Sequence, residues 1–256
     1  MRSLKLTIAY DGTNYVGWQV QTNGVSVQQR LEEAWTQITG EKIRITASGR
    51  TDSGVHALAQ ICGLKTNSDI PCDRLPFALT SQTPEDISVL KAEPAPDDFD
   101  PIRHCTSKTY RYTVQSGSIL DVHGRGYRWH VPQRLDVEAM EKAAAFIRGE
   151  RDFKSFEAKG AERLTTVRNV TCLEIIHRRD EKHDFDYFDF VVTSNGFLYN
   201  MVRNIVGTII DVGAGRKPPE WVQWVLEQKD RNCAGQTAPA CGLVLVEVSY
   251  RDQNGS

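Results

Sequence analysis

The sequence predicts an α+β fold of two tandem βαββαβ lobes with mostly antiparallel sheets, and three observations predict it. Several short segments alternate apolar and polar residues with a period of two, which is typical of strands with one buried face. Two helix-like stretches separate these segments in each half of the chain. The order of elements in residues 1–100 recurs in 101–256 without close sequence similarity. At 256 residues, the chain is long enough to bury a substantial core.

The first half is predicted to be strand, helix, two strands, short helix and strand. These elements cover residues 4–10, 26–40, 42–49, 55–66, 73–81 and 86–93. In the first strand, Leu4, Leu6 and Ile8 alternate with polar residues. Ser26 followed three residues later by Gln29 is the pattern of a capping box at the start of a helix.

The second half repeats this order. Its elements are predicted at 106–115, 136–147, 167–178, 185–193, 197–212 and 242–250. Both halves then have the ferredoxin-like arrangement. Pro94, Pro96 and Pro101 interrupt regular structure at the join, so an N-terminal lobe 1–100 and a C-terminal lobe 101–256 are expected. A cleft between the two lobes is the expected place for a ligand.

Composition argues against a membrane protein and a metalloprotein. The first ten residues have no long apolar run and are interpreted as a strand, and no stretch approaches about 18 consecutive apolar residues. We therefore expect a cytoplasmic protein. The six cysteines form no C-x-x-C pair, and neither they nor the six histidines have zinc-ligand spacing, so reduced thiols and no metal are expected.

The net charge of −2 conceals an uneven distribution. Residues 85–100 contain six acids and one lysine, whereas 101–134 contain six Lys/Arg and one acid. A second basic run consists of Arg148, Arg151, Lys154, Lys159, Arg163 and Arg168. Local fields steer charged ligands more than the net charge does. These segments are either solvated faces or a surface for a polyanion.

The stretch GRTDSGVHA, residues 49–57, is the strongest candidate for chemistry. Arg50 and Asp52 stand two apart between Gly49 and Gly54, in a predicted loop between two strands. Asp, Ser and Gly suit any surface turn, but such a turn has no need of the arginine. Glycine allows the backbone of a loop to approach a ligand closely. A site that holds an ionised carboxylate against a substrate would use all of these residues.

Two further segments add candidate residues. On the strand KTYRY, Lys108, Tyr110 and Tyr112 share one face, which would suit stacking on bases or packing in a core. In the last predicted helix, Arg203 adjoins the apolar stripe. It needs an acidic partner, for which Asp52 is a candidate, or it extends to solvent. Gly207, one turn later, would permit close packing of a neighbouring element.

Several motifs together resemble the tRNA pseudouridine synthase A family. They are YDGTNYVGWQ (10–19), SVQQRLE (26–32), GRTDSGVHA (49–57), DDFDPIRHC (97–105), KTYRY (108–112), DFKSF (152–156) and MVRNIVG (201–207). The similarity extends from about residue 4 to 250 in the family's order and spacing. Relative to the family pattern, Ser53 replaces the usual alanine. The segment 78–87 resembles the family's ALNSxLPxDI with Thr80 and Thr83 as departures.

The resemblance implies isomerisation of uridine to pseudouridine in the anticodon stem-loop of tRNA, at tRNA positions 38–40, without cofactor or metal. It implies a homodimer that binds tRNA, not DNA. Asp52 would be the catalytic aspartate, Tyr110 the tyrosine stacked on the target base, Arg50 the arginine that helps displace it, and Arg203 the partner of Asp52. Leu198, at the start of the apolar stripe, is expected to contact substrate.

Several alternatives stay open from the sequence. Asp52 could act as a nucleophile on the ribose or the base, or as the base that removes the C2′ proton. Tyr110 is a candidate for the base that removes the C5 proton. A non-catalytic RNA-binding module would explain the tyrosines but gives no role to a pair of Asp52 and Arg203. A glycosidase would need two acids flanking the bond, and the loop GRTDSGVHA contains one, Asp52.

Overall fold

The computed structural model describes residues 1–158, 160 and 164–251. Lys159 and Arg163 of the predicted basic run lie outside the described residues. The described chain contains ten strands and five α-helices. It divides into two compact units, which we call unit 1 (1–106 together with 244–251) and unit 2 (107–243). The predicted α+β class and the mostly antiparallel pairing are confirmed.

Unit 1 consists of one sheet and two helices. Its elements are β1 (Arg2–Tyr10), α1 (Val27–Thr39), β2 (Thr46–Ala47), β3 (His56–Thr66), α2 (Leu75–Thr80), β4 (Ile87–Ala95) and, from Val244 onward, β10 (Leu243–Tyr250). Strand β1 lies between β4 and β3 and is antiparallel to both. Strand β2 is antiparallel to β3. The alternation in β1 is confirmed, because Leu4, Leu6 and Ile8 are all buried.

Helix α1 has the ends that its sequence predicts. The side chain of Ser26 accepts a hydrogen bond from the Gln29 backbone N–H at 3.2 Å. The reciprocal half of the capping box is replaced, because the Gln29 amide donates to Glu33 instead. Gly40 ends the helix at φ 74°, a left-handed conformation that glycine adopts without strain, and its N–H donates to Thr36.

The described part of unit 2 contains mostly antiparallel strands and three α-helices. Its elements are β5 (Cys105–Ser116, from Ser107 onward), β6 (Trp129–Val131), α3 (Val137–Ile147), β7 (Gly149–Asp152), β8 (Val167–Asp180), β9 (Phe185–Ser194), α4 (Met201–Gly213) and α5 (Trp221–Gln228). Strands β5, β9, β8 and β7 are neighbours in that order, and β6 pairs with β5 in parallel. The long apolar helix α4 is buried over most of its length.

Five elements differ from the sequence expectation. Helix α4 begins at Met201 rather than near 197, because Asn200 has a left-handed backbone at φ 58° and interrupts the helical path. Strand β2 is two residues long instead of eight. Strands β6 and β7 and helix α5 were not predicted, since each is too short to show a clear period.

The last strand belongs to a different unit from the one expected. The sequence assigns 242–250 to the C-terminal lobe, whereas β10 pairs in parallel with β3 of unit 1, with Val244 opposite His56. Sequence position carries little information about such long-range pairing, because the apolar alternation of β10 does not specify its partner strand. Separately, none of the described helices is long and apolar enough to cross a membrane.

In unit 2, a segment that we call the strap (residues 230–239) lies across helix α4. The Ala238 N–H donates to the Arg203 carbonyl at 3.2 Å, and the Gly235 N–H donates to the Thr208 hydroxyl at 3.0 Å. A Cβ added at Gly207 would lie 1.8 Å from the Gln236 carbonyl oxygen. The close packing that the sequence predicted at Gly207 is therefore confirmed.

We expect Gly207→Ala to destabilise the protein. Overpacking against a backbone carbonyl costs about 1–3 kcal/mol, while the better helix propensity of alanine offsets at most about 1 kcal/mol. Urea unfolding would measure the change in the free energy of unfolding. Gly126→Ala is the matched control, since a Cβ there has no neighbour within 4 Å. Equal stability of the two variants would contradict the tight contact between strap and helix.

Candidate active site

The loop 48–55, which we call the catalytic loop after the role expected of Asp52, joins the antiparallel strands β2 and β3, as predicted. Its base is fixed by Gln60 of β3, whose amide oxygen accepts from the Ser48 hydroxyl at 2.7 Å and whose nitrogen donates to the Gly49 carbonyl at 2.9 Å. Arg50 is exposed and Asp52 is half-buried. The cation and the carboxylate are thus presented from one anchored turn.

A second loop, residues 11–18, packs its backbone directly against the catalytic loop. A Cβ at Gly12 would lie 2.0 Å from the Val55 carbonyl oxygen, and one at Gly17 would lie 2.6 Å from that of Thr51. Gly17 also has φ 107°, which L side chains rarely adopt. Two glycines therefore allow a backbone-to-backbone contact on both sides of Asp52.

Hydrogen bonds reinforce this contact. The Trp18 N–H donates to the Thr51 carbonyl at 3.0 Å, and the Tyr10 and Thr51 hydroxyls are 2.8 Å apart in a buried position. Burial raises the pKa of Tyr10, so its hydroxyl keeps its proton and takes part in this bond as a neutral group. His56 is the first residue of β3, as expected, and its Nδ1 accepts from the Gly12 N–H at 3.0 Å.

The two tyrosines of β5 have different surroundings. Tyr110 is buried, and its ring meets that of Phe197 edge-on with centroids 5.0 Å apart. Tyr112 is fully buried, and its hydroxyl donates to the Pro239 carbonyl in the strap at 2.7 Å. For Tyr112, the core interpretation therefore holds. Tyr110 packs against Phe197 in a T-shaped arrangement, and its role in base stacking stays a prediction.

Arg203 is held by unit 2 itself. Its Nε donates to the Ala238 carbonyl in the strap at 2.7 Å, and one terminal nitrogen donates to the Asn200 side chain at 2.8 Å. These bonds fix the plane of the guanidinium. Leu198, predicted to contact substrate, precedes α4 and is 4% exposed.

The structure brings Arg50 and Asp52 together in the catalytic loop of unit 1. It places Tyr110, Leu198 and Arg203 in unit 2. The pairing of Asp52 with Arg203 stays a prediction. The segments 10–19 and 78–87 match family motifs but had no predicted role, and the first of them contains the loop 11–18 that packs on the catalytic loop.

A cation-lined cavity adjoins the catalytic loop within unit 1. The volume of this cavity is about 310 Å³, and its lining includes Gly49, Arg50 and Arg44. Arg44 also lines a larger cavity of about 680 Å³ that reaches Lys42 and Lys65. All four cations are exposed. Within the described part of the chain, Arg50, Lys42 and Lys65 make no ion pair, so their charges are available to an anionic ligand.

Several cations of the two predicted basic segments, 101–134 and 148–168, form ion pairs or hydrogen bonds within unit 2. Arg128 pairs with Asp121, Arg134 with Asp184 and Asp186, and Lys154 with Glu157. Arg148 donates to the Leu173 carbonyl. Contact of these two segments with a polyanion stays a prediction, and these pairs reduce the charge that the segments offer.

The described residues contain no candidate metal-binding site. No group of three or more His, Cys, Asp or Glu is placed to hold a metal ion there. The six cysteines, all within the described residues, are free thiols. Burial raises the pKa of the Cys62 thiol, which keeps it protonated and unreactive.

Comparison with known proteins agrees with the resemblance read from the motifs. The family model described as tRNA pseudouridine synthase matches residues 6–102 and 143–251. The chain is 44% identical over 250 residues to the tRNA pseudouridine synthase A of Pelobacter propionicus, covering 98% of this chain and 100% of that one. The same protein of Caldicellulosiruptor bescii is also 44% identical, with the same coverage.

Among solved structures, a chain of a Cbf5-Nop10-Gar1 complex has a TM-score of 0.37 at 12% identity, covering 96% of this chain and 59% of that one. This similarity is too weak to inform the fold. The family model and the relatives suffice for the assignment, and the predicted enzyme class is confirmed. The chain belongs to the tRNA pseudouridine synthase family.

Proposed function

We propose that this enzyme isomerises uridine to pseudouridine in the anticodon stem-loop of tRNA, at positions 38–40, with Asp52 as the catalytic residue. The observation that carries the proposal is the anchored catalytic loop, which presents Asp52 next to Arg50 at the edge of a cation-lined cavity. A carboxylate two residues from a cation, beside a cavity lined by two arginines, suits a reaction at a ribose within RNA.

The target nucleotide must first leave its helical stack, because a paired and stacked uracil cannot rotate. Arg50 is exposed and has no ion pair among the described residues, so it is free to fill the vacated space and hold a neighbouring phosphate. Tyr110 then stacks on the uracil. Its ring meets that of Phe197 at an interplanar angle of 85°, a contact that steadies the ring.

The reaction is an isomerisation that needs no external reactant. The C1′–N1 bond breaks, the uracil turns, and a C5–C1′ bond forms. C5 loses its proton and N1 gains one, so atoms and electrons balance without a cofactor. Asp52 acts as the nucleophile on ribose or base, or as the base that removes the C2′ proton. Tyr110 is our candidate for the group that takes the C5 proton.

In this proposal Arg203 keeps Asp52 ionised and oriented. A guanidinium can hold a carboxylate at two points and lowers the cost of keeping it charged. The bonds from Arg203 to Ala238 and Asn200 support this role, since they leave little freedom to the guanidinium plane. Leu198 would form an apolar wall for the uracil.

The wider proposal covers partners and architecture. The enzyme would act as a cytoplasmic, metal-independent homodimer on tRNA, with each unit a ferredoxin-like lobe. The order β4, β1, β3 with β2 beside β3 supports that arrangement for unit 1. The cavities beside Arg50 would follow the RNA backbone away from the target nucleotide.

We expect Asp52→Asn to abolish isomerisation while tRNA binding persists or tightens. Asparagine has nearly the same shape but is neither nucleophile nor base, and removal of a negative charge near phosphates favours binding. Single-turnover assays with enzyme in excess, together with filter binding, would measure both. A rate within about tenfold of wild type would contradict the catalytic assignment.

The product of the wild-type reaction separates the alternatives. Pseudouridine supports the proposal, free uracil indicates a glycosidase, and unchanged tRNA indicates a binding module. Mapping of pseudouridine in bulk tRNA after incubation with the enzyme would also identify the modified positions.

We expect Arg203→Lys to lower turnover strongly while the protein stays folded. Lysine keeps the charge but cannot donate to Ala238 and Asn200 from a rigid planar fork. The matched control is Arg216→Lys, because Arg216 pairs with Asp211 at the exposed end of the same helix region. Turnover equal to that of the control would show that Arg203 does not orient Asp52.

We expect tRNA affinity to fall steeply with salt despite the net charge of −2. Each phosphate contact contributes about 0.7–0.9 to the slope of log affinity against log salt. The double substitution Lys42→Gln and Lys65→Gln should therefore lower the slope by about 1.4–1.8. Lys142→Gln, an exposed lysine on α3, is the control. An unchanged slope in the double variant would show that the large cavity does not meet phosphates.

A further inference from the structure

We propose that Tyr15 and Asp86 are positioning residues that hold the catalytic loop in its reactive geometry. The inference rests on the proposed function, since it takes Asp52 as the catalytic residue. Both residues lie in motifs to which the sequence gave no role, 10–19 and 78–87. Neither is placed here in contact with substrate.

Asp86 anchors the loop 11–18 at three points. Its carbonyl accepts from the Asp11 N–H at 2.9 Å, and one carboxylate oxygen accepts from the Asn14 amide at 3.3 Å. The other carboxylate oxygen accepts from the Tyr15 hydroxyl. Asp86 immediately precedes strand β4, so the loop is tied to the rigid sheet of unit 1.

Tyr15 connects this anchor to the catalytic loop. Its side chain is bound to Asp86, while its carbonyl accepts from the Ser53 hydroxyl at 3.1 Å and from the Gly54 N–H at 3.4 Å. These donors are the two residues that follow Asp52. One residue therefore joins the start of a strand to the backbone that carries the catalytic carboxylate.

The properties of this link suit a fixed support. Tyr15 is 5% exposed, so its ring has little room to move. Burial and then the neighbouring Asp86 raise the pKa of the Tyr15 phenol, which keeps its proton and remains a donor throughout the working pH range. A bond from a neutral donor to a carboxylate is among the stronger hydrogen bonds of proteins.

The Ser53 hydroxyl adds a bond that an alanine at this position could not make. Its hydroxyl reaches the same Tyr15 carbonyl that the Gly54 N–H reaches. In this chain the attachment of the catalytic loop to Tyr15 is therefore doubled. We expect Ser53→Ala to weaken the support slightly and Tyr15→Phe to weaken it more, because only the second removes the tie to Asp86.

The test separates positioning from binding and from stability. A shift of about 1 Å in a catalytic group costs up to about hundredfold in rate. We expect Tyr15→Phe to lower the single-turnover rate at saturating enzyme by about tenfold or more, with the Kd for tRNA within about twofold of wild type. Its melting temperature, measured in parallel, verifies that the variant is folded under assay conditions.

A matched control and a rescue complete the design. Tyr187→Phe removes a tyrosine-to-aspartate hydrogen bond of the same kind, to Asp121 in unit 2, and should leave the rate unchanged. Asp86→Ala should reproduce the loss seen in Tyr15→Phe. Asp86→Asn keeps an acceptor for the Tyr15 hydroxyl and should recover most of the rate, which a role in stability alone would not predict.

These experiments distinguish failure of the positioning role of Tyr15 and Asp86 from failure of the catalytic role of Asp52. If the wild type isomerises uridine and Asp52→Asn does not, while Tyr15→Phe and Asp86→Ala match Tyr187→Phe in rate, the positioning role is overturned. A loss confined to tRNA affinity would overturn it as well. If Asp52→Asn retains wild-type activity, the assignment of Asp52 fails, and the inference that depends on it fails too.

Discussion

The contact between the backbones of the loop 11–18 and the catalytic loop is the constraint on which the site depends. The catalytic loop has no regular secondary structure, so no helix or strand fixes the direction of Asp52. Its conformation is set instead by an opposing backbone that approaches too closely for any side chain at Gly12 or Gly17. Hydrogen bonds at Thr51 and Gly54 then fix the register of the two loops.

In unit 2, close packing of an irregular segment on a glycine likewise orients a charged candidate residue, Arg203. The strap crosses helix α4 at Gly207 and presents the Ala238 carbonyl to the side chain of Arg203. Asn204 of α4 stabilises the strap through its buried side-chain amide. The amide oxygen accepts from the side chains of Thr237 and Arg231, and the amide nitrogen donates to the Phe156 carbonyl. Asp52 and Arg203 are thus both supported by irregular segments that pack closely on glycine. Buried polar networks such as that of Asn204 are costly when incomplete, which explains why they impose one geometry.

The sequence predicted those parts of the fold that have a clear period. Helices α1 and α3 and strands β8 and β9 were located closely, since their apolar stripes and caps are local features. The start of α4 was misplaced because the left-handed backbone of Asn200 leaves no mark in the apolar pattern. The pairing of β10 with β3 could not be predicted, because the partner of a strand far away in the sequence leaves no mark in the strand's own apolar alternation.

Prediction of the site had a similar limit. Residue types and motifs identified Asp52, Arg50, Tyr110 and Arg203 as candidates, because those side chains have few structural reasons to occur in such patterns. Their supports could not be identified in the same way. Tyr15 acts through its carbonyl as well as its hydroxyl, and a backbone acceptor has no sequence signature.

The charges that line the larger cavity of unit 1 show why the net charge of the chain is a poor guide to the charge of its ligand. Two acids line its wall with the cations, but both are committed to local structure. The Thr66 hydroxyl, with the Asn67 N–H, lowers the pKa of Glu41, and the backbone N–H groups of Arg103 and Ile102 lower that of Asp100. Both stay ionised at neutral pH, yet their oxygens face donors of the chain. Cations on the same wall that have no such partner within the described residues are the groups left to attract an anion.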